Sequence, residues 1–217
     1  SDGELESNVA TVNITINPVN DPPVADSQEV NTDEDIPVDI TLTGSDVDGD
    51  TLSFILVSLP ANGTLSGDAP NLTYTPSLNF HGSDSFTFKV NDGTVDSAEA
   101  TVSITVNPIN DPPVADSQDV NTDEGTPVDI TLTGSDVDGD SLTFIIVAQP
   151  SHGTLTGTPP DLTYTPEENF NGGDSFTFKA SDGELESNVA TVNITINPVN
   201  DPPVADSQEV ITDEATP

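Results

Sequence analysis

The chain of 217 residues contains no cysteine, methionine, tryptophan or arginine, and its two lysines stand against 39 acidic residues. Without cysteine there is no disulfide framework, no thiolate metal site and no cysteine nucleophile. The formal net charge of −37 excludes nucleic acid and anionic membrane surfaces as natural partners, because phosphate groups would be repelled. No apolar run approaches the roughly 20 residues of a membrane span, so we expect no membrane insertion in this segment. The charge points to a cation as the natural partner.

The chain is built from a long internal repeat. The string DPPVADSQ occurs three times at intervals of 90 residues, and two complete copies share 62 of 90 residues without a gap. A unit of this length is within the range of a self-contained domain and is too long for a solenoid repeat. We expect four segments: the C-terminal strand of a preceding repeat at 1–20, complete repeats at 21–110 and 111–200, and the N-terminal segment of a following repeat at 201–217.

Each repeat consists of short alternating segments that are separated by turn residues at intervals of roughly 8 to 12. Phe86, Phe88 and Val90 share one face of such a segment, and Thr87 and Lys89 share the other. No segment has a helical period. We therefore predict an all-β fold of tandem seven-stranded antiparallel Greek-key sandwiches. The strands of the first repeat are predicted at 28–31, 38–42, 52–57, 63–66, 72–75, 85–90 and 98–106.

The sequence SDVDGD recurs at 45–50 and 135–140, between the second and third predicted strands. Three carboxylates on alternate residues would repel one another strongly if nothing lay between them. Oxygen ligands at this spacing suit Ca²⁺, which accepts about six to eight of them. The loop is not an EF-hand, because Thr51 stands where that loop needs glycine and Val57 where it needs glutamate. A solvated Asx turn is the alternative interpretation of the loop taken alone.

Three further short motifs recur with the SDVDGD loop in a fixed order. Each is weak alone, but four in the same order at one period are specific together. The SDVDGD loop contributes the Asp-x-Asp pairs Asp46/Asp48 and Asp136/Asp138. The three further motifs are the linkers NPVNDPP or NPINDPP at 17–23, 107–113 and 197–203, the Asp-Gly pairs at Asp2, Asp92 and Asp182, and the acidic turn TDE that ends at Glu34, Glu124 and Glu214.

With these motifs the chain resembles the cadherin family, and most closely the bacterial cadherin-like (Ig-like) tandem repeats that serve as RTX-adhesin-type extender modules in giant surface adhesins. The resemblance implies cadherin- or immunoglobulin-like sandwiches in a linear array, with Ca²⁺ bound at the junctions. Two departures are visible in the linker: Pro18 stands where the family usually has an acid, and Pro22 where it has a second Asn. We expect fewer ions per junction and a linker stiffened by its prolines.

The resemblance also implies the ligands, with acids from both neighbouring repeats and the linker between them. At the junction of the two complete repeats they are Glu34, Asn110, Asp111, Asp136, Asp138 and Asp182, with Asp140 as an extra ligand. At the first junction they are Asn20, Asp21, Asp46, Asp48 and Asp92, with Asp50 as an extra ligand, and at the last they are Glu124, Asn200 and Asp201.

The expected function is that of a calcium-stiffened structural extender in a bacterial cell-surface adhesin or secreted fibre, which would project a binding region away from the cell. Its partners would be the neighbouring repeats of the same chain. Extracellular modules bind Ca²⁺ at roughly 10⁻⁴ to 10⁻³ M, so stiffness would depend on being outside the cell. Two alternatives stay open: a carbohydrate- or protein-binding sandwich module, and a filament or sheath subunit with lateral homotypic contacts.

We do not expect an enzyme. The two histidines, His81 and His152, occupy non-equivalent repeat positions, where the other repeat has Asn171 and Asn62. Neither histidine belongs to a repeated set of nucleophile and base.

Overall fold

The computed structural model describes residues 3–6, 8–203, 205–211 and 214. The chain divides into two compact units, Ser1–Ile109 and Asn110–Pro217. Every regular element in the described residues is a β-strand, so the predicted all-β fold is confirmed. Across these same residues, no helix is long and apolar enough to cross a membrane. Asp2, from the first Asp-Gly motif, lies outside them.

All seven strands predicted for the first repeat are found, together with two strands of two residues that the sequence analysis did not predict. The strands of the first unit are β1 (Val24–Ala25), β2 (Gln28–Asp33), β3 (Val38–Thr41), β4 (Gly44–Ser45), β5 (Ser53–Ser58), β6 (Gly63–Asp68), β7 (Asn71–Pro76), β8 (Gly82–Asn91) and β9 (Ala100–Asn107).

The second unit repeats this series element by element. Its strands are β10 (Val114–Ala115), β11 (Gln118–Asp123), β12 (Val128–Thr131), β13 (Gly134–Ser135), β14 (Thr143–Ala148), β15 (Gly153–Thr158), β16 (Asp161–Pro166), β17 (Gly172–Ser181) and β18 (Ala190–Asn197).

Each unit is a sandwich of a four-stranded and a three-stranded sheet. In the first unit the strand orders are β2-β9-β8-β5 and β3-β7-β6, and β1 pairs with β4. The second unit has the same orders nine strands further along. One pair in each unit differs from the predicted antiparallel pattern: β2 lies parallel to β9, and β11 lies parallel to β18. The chain changes sheets just before β2, where Asp26 N donates to Thr43 O at 3.1 Å and the Ser27 hydroxyl accepts from Thr101 N at 3.2 Å.

The core follows the alternation in the sequence. Phe86, Phe88 and Val90 of β8 are fully buried, and Tyr74 faces them from the other sheet. Full burial of each large apolar side chain contributes on the order of 1.5 to 3 kcal/mol to folding. The corresponding residues of the second core are Tyr164, Phe176, Phe178 and Ala180.

Two segments with the same sequence have different structures. Residues 10–17 and 190–197 are identical, yet Ala190–Asn197 forms β18 whereas 10–17 contains no strand. Ile194 is 1% exposed and Ile14 is 82% exposed. The difference arises because β18 lies between β11 and β17, whereas 10–17 has no such neighbours among the described residues. A strand needs both its hydrogen-bonding partners and a core to cover.

A buried carboxylate fixes the beginning of β8. Asp84 Oδ1 accepts hydrogen bonds from Ala61 N at 2.9 Å and Ser85 N at 2.8 Å, and Oδ2 accepts from Asn62 N and from the Tyr74 hydroxyl, both at 2.9 Å. Asp84 is not among the residues predicted from the sequence. The alternation could have identified it, because in both repeats this aspartate is in phase with the phenylalanines that face the core. The counterpart Asp174 has its own four partners: Ser151 N, His152 N, Ser175 N and the Tyr164 hydroxyl.

These contacts determine the charge state of the pair. Desolvation by itself would raise the pKa of Asp84, but the hydrogen bonds from the backbone and from Tyr74 outweigh it and lower that pKa below its usual value. Burial and the neighbouring carboxylate raise the pKa of Tyr74. Because the pKa of Asp84 is lower in the folded state, its contribution to stability is present above the unfolded pKa of about 3.9 and is lost as the pH falls through the folded pKa.

Replacing Asp84 should therefore destabilise the first unit and make its free energy of unfolding depend less on pH in the acidic range. We expect Asp84→Ala to cost at least about 2 kcal/mol, because buried donors lose their acceptor, and Tyr74→Phe to cost about 1 kcal/mol. Hydrogen exchange of the full chain between neutral and acidic pH would measure the loss of stability in the first unit, with the second unit as internal reference. Asp68→Ala, which removes an exposed acid, is the control, and an equal loss for Asp84→Ala and Asp68→Ala would contradict the assignment.

Candidate metal centre

In the first unit, the linker, the SDVDGD loop and the turn after β8 meet at one end of the sandwich. Asp21 N donates to Asp48 Oδ2 at 2.9 Å, and the Asn20 side chain donates to Asp92 Oδ2 at 2.9 Å. These partners are 27 and 72 residues apart in the sequence. The fold thus brings together the residues that the sequence predicted at the first junction.

Asp46 organises the loop that follows β4. Its Oδ1 accepts hydrogen bonds from Asp48 N at 2.9 Å and from Asp50 N at 3.1 Å. Gly49 takes a φ of 81°, which a residue with a Cβ adopts only with strain. One carboxylate oxygen from each of Asp46, Asp48 and Asp50 lies within 4.8 Å of the other two. The loop holds three negative charges in a space that one cation could fill.

The second oxygen of Asp46 provides the test of fit for such a cation. Asp46 Oδ2 is buried and has no hydrogen-bond partner. A buried carboxylate oxygen without a donor is costly, and two neighbouring carboxylates raise that cost. An oxygen-only set with an unsatisfied buried member fits a hard cation such as Ca²⁺.

Asp92 is held as an anion at the turn after β8. Its Oδ1 accepts from Thr94 N at 2.6 Å and from Val95 N at 2.8 Å. The hydrogen bond from the Asn20 side chain, together with those from the backbone of Val95 and Thr94, lowers the pKa of Asp92. The side chain is therefore ionised at neutral pH.

The second unit repeats these contacts with its own linker. The Asn110 side chain donates to Asp182 Oδ2 at 2.9 Å, and Asp111 N donates to Asp138 Oδ2 at 2.8 Å. Hydrogen bonds from Leu185 N, the Asn110 side chain and Glu184 N lower the pKa of Asp182. Asp92 and Asp182 are thus held as anions at the same end of the sandwich in the two units.

The loop of the second unit is organised like that of the first. Asp136 Oδ1 accepts from Asp138 N at 2.9 Å and from Asp140 N at 3.3 Å. Asp136 Oδ2 is buried and has no hydrogen-bond partner. The unsatisfied oxygen therefore occurs at the same position in both repeats.

A glutamate lies at the other end of the first unit. Glu34 follows β2, and its Oε1 accepts a hydrogen bond from Ile109 N, just beyond the end of β9. Oε2 is buried without a hydrogen-bond partner, and the residue is 4% exposed. Asp92 lies in the turn after β8, beyond the beginning of β9, so the eight residues of that strand place the two acids at least roughly 25 Å apart. Each unit carries carboxylates at both of its ends.

The second unit has a similar arrangement at Glu124, but there both side-chain oxygens accept a hydrogen bond. Glu124 Oε1 accepts from Val199 N at 2.5 Å, and Oε2 accepts from the Asn171 side chain at 3.4 Å. Asn200 and Asp201, which the sequence predicted as ligands, follow Val199 directly and are exposed. The assignment of all these residues as ligands stays a prediction.

The pKa values of the turn acids can be tested directly. In a carboxyl-detected NMR titration we expect Asp92 and Asp182 to have midpoints below the usual value of about 3.9. Asn110→Ala should raise the pKa of Asp182 and leave that of Asp92 unchanged, because each aspartate has its own asparagine donor. A normal midpoint for Asp182 in the unmodified chain would contradict the geometry.

Comparison with known proteins agrees with the fold. The two units are tandem Ig-like sandwiches, a class with cadherin-like structural neighbours. The sequence model described as "Bacterial Ig domain" matches residues 20–105 and 110–195. The chain belongs to this bacterial Ig domain family. Tandem domains of this class suggest an extracellular module for adhesion or extension and are not typical of enzymes.

The chain spans 12% or less of the length of the curated relatives that it matches. Integrin beta-like protein A of Dictyostelium discoideum is 30% identical over 229 residues, which is 86% of this chain and 12% of that protein. The structure of human mucin-like protocadherin EC1-2 is 16% identical with a TM-score of 0.51, over 82% of this chain and 98% of that one. An endo-fucoidan hydrolase of glycoside hydrolase family 107 is 24% identical with a TM-score of 0.37, over 86% of this chain and 30% of that one. The protocadherin supports the fold alone.

Proposed function

We propose that the chain is a calcium-stiffened extender segment of an extracellular bacterial adhesin or fibre, with Ca²⁺ bound where one repeat ends and the next begins. The observation that carries the proposal is the buried oxygen without a donor on Asp46 and again on Asp136. A structural surface turn would expose or satisfy these oxygens. A cation would satisfy them and remove the repulsion between the neighbouring carboxylates.

The ligands in this proposal are oxygen atoms that lie close together at the beginning of each unit. At the beginning of the second unit they come from Asp136, Asp138 and Asp182, with Asn110 and Asp111 from the linker. The equivalent set in the first unit is Asp46, Asp48 and Asp92, with Asn20 and Asp21. Ca²⁺ bound there would supply positive charge that neutralises these carboxylates.

The linker gives a reason to add Glu34 to the second of these sets. Within the first unit Glu34 accepts a hydrogen bond from Ile109 N, and within the second unit Asp138 accepts one from Asp111 N. Only Asn110 separates these two linker residues. This supports the prediction from the sequence that one ion takes ligands from two successive repeats and so restrains the linker between them.

Stiffening follows from charge and from backbone restriction. Without a cation, the carboxylates at successive ends repel, and repulsion favours separation of the repeats. The linker prolines already limit φ and favour extended backbone. A bound Ca²⁺ would remove the repulsion, and affinities of roughly 10⁻⁴ to 10⁻³ M would make the restraint conditional on extracellular calcium. The partners are then the neighbouring repeats of the same chain.

The loop acids of the second unit give a direct test. Asp136→Asn with Asp138→Asn should weaken calcium binding by at least about tenfold, since two charged ligands are lost, while both sandwiches stay folded. Calorimetry would measure the affinity, and X-ray scattering would measure the maximum dimension with calcium and with chelator. We expect calcium to narrow the distribution of distances in the unmodified chain but not in this double variant.

Asp129→Asn with Glu168→Gln is the matched control, because it removes two exposed charges that lie on β12 and in the turn after β16, outside the loop. This variant should bind calcium and respond to it like the unmodified chain. A scattering profile that is the same with calcium and with chelator in the unmodified chain would overturn the stiffening role.

The alternative of a carbohydrate- or protein-binding module has less support. Such sites usually present exposed aromatic rings, whereas Tyr74, Phe86 and Phe88 and their counterparts in the second unit are buried. Lateral assembly into a filament stays a second alternative, for which no feature of the described residues argues specifically.

A further inference from the structure

Two Asn-Gly dipeptides occur in the repeats, at non-equivalent positions. They are Asn62-Gly63 in the first unit and Asn171-Gly172 in the second. At each position the other repeat has histidine before the glycine, as His152-Gly153 and His81-Gly82. The chain therefore contains its own natural replacement for each asparagine.

Asparagine before glycine can react with its own backbone. The amide nitrogen of the glycine attacks Cγ of asparagine, the new N–Cγ bond closes a succinimide ring, and the side-chain nitrogen leaves as ammonia. Water then opens the ring at one of its two carbonyls and gives aspartate or isoaspartate. Glycine favours this step because it has no Cβ to obstruct the approach and allows wide changes of φ and ψ. The backbone must be free to make those changes.

Asn62 does not have this freedom. Its backbone N donates to Asp84 Oδ2 at 2.9 Å, and its backbone O accepts from Ser77 N at 2.9 Å. Gly63 is the first residue of β6, and a Cβ placed there would lie 2.4 Å from the Tyr74 ring. The peptide between Asn62 and Gly63 is thus held on both sides and closely covered.

Asn171 is in a different environment. It is exposed and lies outside the strands, immediately before β17. Its side-chain nitrogen donates to Glu124 Oε2 through a long hydrogen bond of 3.4 Å. Gly172 takes a φ of 136°, and a Cβ placed there would make only an ordinary contact with the Phe170 ring, at 3.6 Å. Gly172 is the end residue of β17 and pairs with Ile196, so a change of backbone conformation at this peptide disturbs only the end of the β17–β18 ladder.

We propose that Asn171 is a site of spontaneous deamidation, and that the carboxylate so formed is a further oxygen ligand for a cation at Glu124. The second half rests on the proposed function. The reaction replaces a donor to Glu124 Oε2 with a second anion, and two carboxylates in contact favour a cation between them. The first unit cannot undergo this change, because His81 stands at the equivalent position. The modification would make the end of the second unit more acidic as the protein ages.

The first half is tested by incubating the full chain in metal-free, mildly alkaline buffer and mapping its peptides by mass spectrometry. We expect Asn171 to deamidate at least about tenfold faster than Asn62, because reaction at Asn62 requires local opening of the fold. Asn171→His should remove the fast reaction, and Asn62→His should leave it unchanged. In denaturant the two sites should react at similar rates. Equal rates in the folded chain would overturn the proposal.

The second half is tested by calcium titration of Asn171→Asp beside Asn171→His. We expect tighter calcium binding for Asn171→Asp, and for the aged natural chain, than for Asn171→His. Equal binding by the two variants overturns the ligand role while leaving the proposed function standing. Loss of calcium binding in every form, including the unmodified chain, overturns the proposed function and the ligand role together. The deamidation rates are measured without metal and are judged separately.

Discussion

Repulsion between carboxylates is the main constraint at the end of each sandwich that carries the SDVDGD loop. The fold holds Asp46, Asp48 and Asp50 within 4.8 Å of one another, and it does so with backbone donors that fix the oxygens in place. A solvated surface would spread these charges apart. The stability of the sandwich has to exceed this local cost, and it comes from two cores that carry no part of the proposed site. The residues that stabilise the fold are therefore different from the residues proposed to bind the ion.

Much of the fold could be predicted because strand alternation directly reports burial. Phe86 and Phe88 are spaced for one face, and the structure buries that face. The two-residue strands β1 and β4 could not be predicted, since so short a segment carries no period. The parallel pairing of β2 with β9 depends on a change of sheet at Asp26 and Ser27, which no local pattern encodes. The identical segments 10–17 and 190–197 show that alternation alone does not determine a strand, because among the described residues only the second segment lies between two other strands.

For the candidate site, the spacing of SDVDGD and of the linkers brought the right residues into consideration, since a fixed period places them at fixed points of one fold. The alternation could mark Asp84 as an inward-facing acid, but it could not indicate how the contacts of Asp84 differ from those of the site acids. Asp84 and Asp46 are both partly or fully buried aspartates, but four donors satisfy both oxygens of Asp84, whereas one oxygen of Asp46 has none. That distinction lies in contacts between distant strands.

The hydrogen bonds of Asn20 to Asp92 and of Asn110 to Asp182 connect each linker to its own sandwich by protein atoms alone. In the proposed role, an arriving ion would meet a preorganised loop, so little conformational entropy would be lost on binding. The response to calcium would then follow the exchange of the ion and not the refolding of a segment. An assembly built from such units could change its mechanical state repeatedly without exposing its cores.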